Sequence, residues 1–271
     1  MSPAMNIELT ATTGTRMTDE DARTWADAWQ ASWDAQQGGF MLDREQRFAA
    51  LLDLVEVTAG PAATVVDLAC GTASITRRLL ARLPGARAVA VDVDPVLLAV
   101  ARGSLGGDER VRIVRADLRD PAWVERLGGV QADAVVTSTA LHWLPEGDLA
   151  RVYRDLFRLV RPGGLVANAD TMPADDLPRL SSALTALAER REAAALARGV
   201  ESWHAWWERA VADPVLAGSM AERATLFGGA DHPPSFSPPA GWHLAALEAA
   251  GFAESGVAWR SGTDAIVAAI R

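Results

Sequence analysis

Short apolar runs alternate with amphipathic stretches through the middle of the chain. Strands are predicted at residues 64–68, 88–92, 111–115, 134–138 and 165–168. Helices are predicted between them at residues 74–83, 95–102, 121–127 and 148–160, the last ended by Pro162-Gly163-Gly164. Strands separated by helices of about ten residues are typical of βαβ units and a parallel sheet. The run Ala134-Val135-Val136 suits a strand that is buried on both faces.

Two helices are predicted before this region. The first begins at Thr18, whose hydroxyl is placed to cap the turn that contains Asp21. One face of this helix carries tryptophans at four-residue spacing, and we expect them to pack on the core or on a partner subunit: Trp25, Trp29 and Trp33. Gly38-Gly39 is expected to end the helix. A second amphipathic helix is predicted by the spacing of Phe48, Leu51, Leu52 and Val55.

Beyond Met172 the pattern becomes helical and then closes with a β-hairpin. Helices are predicted at 177–198, 202–212, 214–227 and 242–250, with a Pro/Gly-rich connector at 228–241. The hairpin is predicted at 252–259 and 265–270. We therefore expect an α/β fold, with a doubly wound, mostly parallel seven-stranded sheet that ends in an antiparallel hairpin. The predicted division is an N-terminal helical cap (1–57), a core (58–171 and 241–271) and a helical insertion (172–240).

Composition narrows the functional classes. The net charge is −9 and the pI is about 5.0, without the Lys/Arg run that a nucleic-acid binder needs. Cys70 is the single cysteine of the chain, so no intrachain disulfide can form, as fits a reducing compartment. The sequence shows neither a secretory signal pattern nor an apolar run long enough to span a membrane. We expect a cytoplasmic enzyme, a monomer or a homodimer, that binds neither nucleic acid nor membrane.

The segment from Val65 to Ser74 carries the clearest functional signal. It predicts a buried strand ending at Asp67, a tight turn of small residues, and a helix that begins near Ser74. Small residues in the turn let a ligand approach the backbone, and the free N–H groups of the helix start point towards that ligand. At the carboxyl end of a parallel strand, this arrangement predicts a cofactor site. The alternative is an ordinary βα turn.

Two more acidic residues follow the next predicted strands. Asp92 lies 21 residues beyond Gly71, near the spacing at which an acid binds ribose hydroxyls in Rossmann-like units. A helix N-cap is the alternative role, but Asp94 is placed to fill it. Asp117 is predicted to accept a hydrogen bond from an adenine amino group, with an Asx turn as the alternative. Asp67 is expected to hold the turn or to approach a cofactor amine through water.

Together these motifs resemble the class I S-adenosylmethionine-dependent methyltransferases, in the small-molecule branch that includes trans-aconitate and quinone-biosynthesis methyltransferases. Residues 67–73 are similar to the family's D-x-G-x-G-x-G motif, with Ala69 and Ala73 in place of two glycines. Residues 91–95, 116–118 and 133–144 resemble the ends of its second, third and fourth strands. Residues 161–164 and 249–252 resemble the turns before its last strands. The resemblance covers residues 60–170 and 241–271.

This resemblance implies S-adenosyl-L-methionine as the cofactor and S-adenosyl-L-homocysteine as the product. It implies that the methionine end lies near Ala69 and Gly71, with Arg44 or Arg47 as candidate carboxylate partners. The adenine would lie between Val93 and Leu118, and Thr137 or Ser138 would face the sulfonium. The predicted cofactor-binding residues are therefore Asp67, Ala69, Cys70, Gly71, Ala73, Asp92, Val93, Asp117, Leu118, Thr137 and Ser138.

The predicted acceptor side begins with His142, which follows the fourth strand. It is the candidate general base, with a packing or orienting role in the pocket wall as the alternative. Trp143 is expected to pack beneath it. Trp203 and Trp207 lie in the insertion, which by resemblance covers the acceptor pocket, and their flat rings suit an aromatic or apolar acceptor.

We predict methyl transfer to O, N or C of a small metabolite by in-line displacement. One alternative is a non-methylating, cyclase-like enzyme or a binding protein on the same fold. A second is a macromolecular methyltransferase, which the net charge and the absence of an Asn-Pro-Pro-Tyr-type motif disfavour. The spacing of the His, Cys, Asp and Glu residues does not match a metal site, so we predict no metal.

Overall fold

Seven strands form one mixed sheet in this computed structural model, which describes residues 17–41, 43–174, 176–228 and 236–271. The first 16 residues and half of the predicted connector (229–235) lie outside the described residues. The strand order is β3-β2-β1-β4-β5-β7-β6. The strands are β1 (Thr64–Leu68), β2 (Arg87–Asp92), β3 (Val111–Arg115), β4 (Ala132–Ser138), β5 (Val160–Thr171), β6 (Glu254–Ser261) and β7 (Asp264–Ile270).

The first five strands are parallel, and β7 pairs antiparallel with both β5 and β6. The predicted α/β fold with its antiparallel closing hairpin is thus confirmed. The chain runs outwards from β1 to β3 and then returns to β4 on the other side of β1. The direction of winding therefore reverses between β1 and β4, and ligand sites of open α/β sheets lie at such a point, beyond the carboxyl ends of the strands.

Helices pack on both faces of the sheet and above its carboxyl edge. They are α1 (Asp19–Phe40), α2 (Arg44–Ala59), α3 (Ser74–Arg82), α4 (Pro95–Leu105), α5 (Glu146–Leu159), α6 (Pro178–Ala197), α7 (Trp203–Ala212), α8 (Ala217–Phe227) and α9 (Ala240–Ala250). The Thr18 side chain accepts a hydrogen bond from the Asp21 N–H at 3.1 Å, so the predicted cap begins α1. The helices that the structure describes do not include one long and apolar enough to cross a membrane.

Two hydrophobic layers enclose the sheet. Val65 packs with α2 and α3 on one face, while the adjacent Val66 packs with α5 and α9 on the other. Successive strand side chains point to opposite faces, and both valines are fully buried. Each such burial contributes roughly 1.5–3 kcal/mol. The sheet is therefore covered on both sides, and its carboxyl edge remains the accessible place for a site.

The prediction that Gly38-Gly39 ends the first helix was wrong, because α1 continues to Phe40. The reason for glycine lies in packing. A Cβ atom at Gly39 would stand 2.3 Å from Cγ1 of Val200, in the connector between α6 and α7. Glycine at this position therefore lets that connector pack directly against α1.

The prediction that Pro162-Gly163-Gly164 separates a helix from a strand was also wrong. Helix α5 ends at Leu159, and β5 begins at once at Val160. Val160 pairs with Ala132 and Leu165 pairs with Ala134, so the intervening residues form an irregularity in the ladder. The extra residues are absorbed as a bulge, and the strand continues through them.

The two helical additions meet above the carboxyl edge of the sheet. Trp29 and Trp33 pack against α4 and against the fully buried Trp206 of α7. Their rings meet Trp206 nearly edge to face, with centroids 5.0 and 4.9 Å apart. The indole N–H groups of Trp25 and Trp29 both donate to Asp213, at 2.8 Å each. The tryptophan stripe thus joins the N-terminal helix to the insertion within one chain.

Candidate functional site

A cavity of about 450 Å³ lies beyond the carboxyl ends of β1 to β4. Its floor is formed by residues that follow these strands, and its roof by α1 and the helices of the insertion. The volume lies in the range of small-molecule and cofactor sites. The predicted cofactor half and the predicted acceptor half open into this same space.

The turn after β1 forms the floor nearest the sheet. Ala69 (φ 53°), Gly71 (φ 56°) and Ala73 (φ 64°) all adopt left-handed backbone conformations. Ala69 and Gly71 line the cavity together with Cys70. Ala73 does not line it, since its methyl group is buried against α4 and β2. The predicted cofactor contact of Ala73 stays a prediction, and in this turn it would involve the backbone at the start of α3.

Asp67 lies at the end of β1, buried on the cavity wall. Its Oδ2 accepts from the backbone N–H of Thr76 at 3.0 Å and from the Thr76 hydroxyl at 2.7 Å. Its Oδ1 accepts no hydrogen bond from the described residues. Burial raises the pKa of Asp67 to about 6. Asp67 therefore holds the start of α3 and keeps one buried oxygen, which suits a cationic amine.

Asp92 fixes the turn from the neighbouring strand. Its Oδ2 accepts from the Gly71 N–H at 2.7 Å, and its Oδ1 accepts from the Asp94 N–H at 2.8 Å. Burial raises the pKa of Asp92 to about 6. Asp94 caps α4 through Val96, as the sequence analysis expected. Each Asp92 oxygen retains capacity for a second donor, so the carboxylate can still receive the hydroxyls of a diol.

Asp117 occupies the cavity wall after β3, beside Val93 and Leu118. Its carboxylate accepts from the Arg119 N–H at 2.9 Å and forms an ion pair with the Arg119 guanidinium at 2.7 Å. Burial acts to raise the pKa of Asp117, but the hydrogen bonds from Arg119 outweigh it, and the pKa lies below its usual value. Asp117 therefore forms the Asx turn and also lies on the cavity wall.

The end of β4 contributes Ser138 and Thr139 to the wall, but not Thr137. Thr137 is 1% exposed, since alternate strand side chains point to opposite faces, and its predicted cofactor contact stays a prediction. Of the two candidate arginines, Arg44 lines the cavity and pairs with Asp34 at 2.8 Å. Arg47 lies behind the wall and donates to the Thr139 hydroxyl at 2.8 Å.

His142 stands on the cavity wall just beyond β4, on a short 3-10 helix (Leu141–Trp143). Its Nδ1 lies 2.9 Å and 3.0 Å from the two carboxylate oxygens of Asp170, which is buried near the end of β5. The imidazole ring packs on Trp143, with centroids 4.5 Å apart. A carboxylate can only accept, so Nδ1 carries the hydrogen, and in the neutral imidazole Nε2 then has a lone pair.

Asp170 is the functional candidate that the sequence analysis missed. A signal was available, because Asp170 lies near the carboxyl end of β5 as Asp67 and Asp92 do at the ends of β1 and β2. The bonding of His142 to it required the relative positions of two neighbouring strands, which spacing along the chain does not give.

Aromatic side chains form the wall opposite the turn. Trp33, Trp203 and Trp207 line the cavity. The ring centroid of Trp203 lies 5.5 Å from that of Trp33 and 5.7 Å from that of Trp207. Arg223 of α8 stacks on Trp207, its guanidinium carbon 3.8 Å from the ring centroid, and pairs with Asp94 at 2.7 Å. The insertion is thereby fastened to the residue that caps α4.

The positive charges of the arginines on the wall are neutralised. The three lining arginines, Arg44, Arg119 and Arg223, each pair with an aspartate. Glu192 of α6 also lines the cavity and has no ion pair with the residues that the structure describes. In the described ranges, no cluster of three or more His, Cys, Asp or Glu side chains could hold a metal ion.

Comparison with known proteins identifies similar chains. A methyltransferase domain family matches residues 65–164. Trans-aconitate 2-methyltransferase of Azoarcus sp. is 37% identical over 137 residues, which is 50% of this chain and 49% of that protein. The enzyme of the same name from Paracidovorax citrulli is 30% identical over 214 residues, 78% of this chain and 71% of that protein. The chain thus spans about half the length of the first of these curated relatives.

Solved structures show the same fold at low identity. An O-methyltransferase family protein from Burkholderia thailandensis superposes with a TM-score of 0.56 and 20% identity, over 89% of this chain and 59% of that one. Human N-acetylserotonin methyltransferase in complex with SAM superposes with a TM-score of 0.54 and 14% identity, over 94% of this chain and 56% of that one. At these identities the likeness concerns the fold alone.

Proposed function

This chain belongs to the class I S-adenosylmethionine-dependent methyltransferases, and we propose that it transfers a methyl group to a small, neutral, aromatic or apolar acceptor that carries an O–H or N–H group. The observation that carries this proposal is the pairing of His142 with Asp170 on the wall of the cavity that also holds the β1 turn. A candidate proton acceptor and the turn proposed to bind the cofactor thus line the same cavity.

The residues of the cavity floor fit S-adenosylmethionine, which supplies an electrophilic methyl group on a sulfonium when bound. The free Oδ1 of Asp67 suits the amine, and Asp92 suits the ribose diol. Val93 and Leu118 would enclose the adenine, with Asp117 accepting from its amino group. Ala69, Cys70, Gly71 and Ser138 complete the lining of this half.

His142 serves as the general base in this proposal. Asp170 orients the imidazole so that Nε2 of its neutral form has a lone pair, and Nε2 would take the proton from the O–H or N–H group of the acceptor. Asp170 is a positioning residue, since it acts through His142. General-base catalysis contributes about 10²- to 10⁴-fold in rate, so the dyad matters most for acceptors that do not ionise by themselves.

The wall chemistry argues for a neutral acceptor. Trans-aconitate, the compound in the names of the relatives, carries three carboxylate groups. In this cavity each lining arginine is already paired, and Glu192 adds a negative charge. A tricarboxylate would lose its hydration without gaining a free cation. Large flat tryptophan faces instead suit an aromatic body.

Two measurements test the proposal. Calorimetric titration of S-adenosylhomocysteine should show binding that Asp92→Ala weakens at least tenfold, because hydrogen bonds to a charged group contribute about 1.5–3 kcal/mol. Asp53→Ala, on the exposed side of α2, is the control. An acceptor screen then measures S-adenosylhomocysteine formation with neutral phenols and, beside them, trans-aconitate. Turnover of trans-aconitate alone would refute the neutral acceptor, and cofactor binding without any product would favour a non-methylating protein.

The role of the dyad is tested with the acceptor that the screen identifies. His142→Ala should lower kcat about 10²- to 10⁴-fold while the Kd of S-adenosylhomocysteine stays unchanged. Asp170→Asn should lower kcat without raising KM, because it alters the imidazole and leaves the acceptor wall in place. A normal kcat in His142→Ala would reduce His142 to a wall residue.

A further inference from the structure

Gln36 of α1 lines the cavity and carries a buried hydrogen-bond donor without a partner among the described residues. The side chain lines the cavity and is 1% exposed. Its Oε1 accepts from Nε2 of Gln37 at 2.7 Å, which sets the orientation of the amide. Its Nε2 has no hydrogen-bond partner among the described residues. A buried donor left unpaired is costly, so a ligand that supplies an acceptor atom would complete this site.

Trp207 of α7 carries a second hydrogen-bond donor of this kind. Its indole Nε1 is buried and without a hydrogen-bond partner in the part of the chain that the structure describes. The face of the ring is already covered by the Arg223 guanidinium, so the N–H edge remains for another group. Trp203 stands between Trp207 and Trp33, with centroid distances of 5.7 and 5.5 Å. Trp33 lies one helical turn before Gln36, so both donors belong to the same wall.

We propose that Gln36 and Trp207 determine acceptor specificity by donating hydrogen bonds to a carbonyl oxygen of the methyl acceptor. This inference rests on the proposed function. Both groups are donors, so their partner must be an acceptor atom. The arginines that line the cavity in the described part of the chain are all paired, and a neutral carbonyl fits such a wall better than a polyanion.

Three polar groups of the cofactor cannot use these donors, and Arg44 on the cavity wall remains the candidate partner of its carboxylate. The amine, diol and adenine amino group of S-adenosylmethionine are hydrogen-bond donors, and the carboxylates of Asp67, Asp92 and Asp117 are suited to receive them. A carbonyl held by Gln36 and Trp207 would fix the plane of an aromatic acceptor against the tryptophan wall. Such orientation is what aligns the attacking atom with the methyl group and the sulfur.

The test uses matched pairs of neutral phenols that differ chiefly in one carbonyl oxygen. The three hydroxyacetophenones and the three ethylphenols are titrated by calorimetry into the complex with S-adenosylhomocysteine. In the wild type, at least one ketone should bind about tenfold more tightly than the matching ethylphenol. The ethylphenol lacks the carbonyl oxygen and so leaves a buried donor unpaired. Gln36→Met and Trp207→Phe, which keep the bulk of the side chains, should each remove most of that preference and leave ethylphenol binding unchanged.

Gln46→Met, on the exposed side of α2, is the matched control and should keep the preference. The inference is overturned if no ketone binds more tightly than its counterpart, or if the preference survives Gln36→Met. It is also overturned if Gln36→Met raises the Kd of S-adenosylhomocysteine tenfold, since the amide would then serve the cofactor carboxylate. Failure of the wild type to bind S-adenosylhomocysteine would instead refute the proposed function, and the two failures are thus distinguishable.

Discussion

Gly38 and Gly39 are neighbours in α1, yet alanine at these two positions should have opposite effects on stability. A Cβ atom at Gly38 meets nothing within 4 Å. A Cβ atom at Gly39 would lie 2.3 Å from Cγ1 of Val200 and 3.3 Å from its Cβ. Because valine is branched at Cβ, rotation of its side chain cannot clear all of these contacts. The connector between α6 and α7 would have to move.

The magnitudes follow from helix propensity and overpacking. Alanine is better than glycine inside a helix by about 1 kcal/mol, and somewhat less so near the helix end, so Gly38→Ala should raise the free energy of unfolding by about 0.5–1 kcal/mol. Gly39→Ala gains the same propensity but overpacks the contact with Val200, which costs about 1–3 kcal/mol. We expect a net loss of about 1 kcal/mol, and hence a difference of about 2 kcal/mol between the variants.

Urea unfolding followed by tryptophan fluorescence measures this difference directly. The displaced connector leads into Trp203 on the acceptor wall, so Gly39→Ala should also weaken binding of aromatic acceptors, while Gly38→Ala should not. Equal stabilisation by both substitutions would refute the reasoning, because it would mean that the connector does not pack against α1. A double variant with Val200→Ala should recover most of the loss at Gly39.

Four further outcomes are expected. Burial raises the pKa of Asp67 and of Asp92 to about 6. The Kd of S-adenosylhomocysteine should therefore rise about tenfold as the pH falls from 7 to 5, for each of these carboxylates that must be ionised for binding. A constant Kd in calorimetry would contradict this. The raised pKa values also mean that the folded protein holds these protons more tightly than the unfolded chain does. The contribution of Asp67 and Asp92 to the free energy of unfolding without cofactor should therefore be highest below pH 4 and should fall as the pH rises through about 6. Asp213→Ala leaves two indole N–H groups unpaired and should cost about 2–3 kcal/mol in urea unfolding, whereas Asp213→Asn, which keeps one accepting oxygen, should cost less. Arg223→Met removes the ion pair to Asp94 and should speed amide hydrogen exchange in α8 about tenfold or more without changing exchange in β1; uniform acceleration throughout the protein would contradict a local role.

The cofactor half of the cavity could be predicted because its signals are local in sequence. The apolar run before Asp67, the small residues of the turn and the helix start all lie within ten residues. Asp92 and Asp117 follow the next two strands, and parallel strands bring their carboxyl ends to one edge. Connectivity alone therefore brought these acids together. The burial of the Ala73 and Thr137 side chains was not predicted, since the direction of a single side chain depends on local backbone angles that residue identity does not fix.

The Asp170–His142 contact was beyond this reasoning for a different reason. Asp170 lies in β5 and His142 follows β4, so their contact depends on the register between two strands. In that register Thr137 lies beside Asn168 and Ser138 beside Ala169, which brings Asp170 next to the segment that holds His142. A one-residue shift would turn Asp170 to the opposite face of the sheet, and no short motif in the sequence specifies that register.

The acceptor half is assembled from segments that lie more than 150 residues apart, and this explains why its lining was only partly predictable. Trp33 and Gln36 come from α1, whereas Trp203 and Trp207 come from α7. Their meeting depends on the fully buried Trp206, which packs edge to face against both Trp29 and Trp33. Trp206 donates its indole N–H to Ser32 at 3.0 Å, so its burial leaves no polar group unpaired. Trp33 both packs on Trp206 and lines the cavity, and along α7 Trp206 lies between the lining residues Trp203 and Trp207. A substitution at Trp33 is therefore expected to alter the packing of α1 against α7 together with the proposed acceptor wall, so the two cannot change independently at this residue.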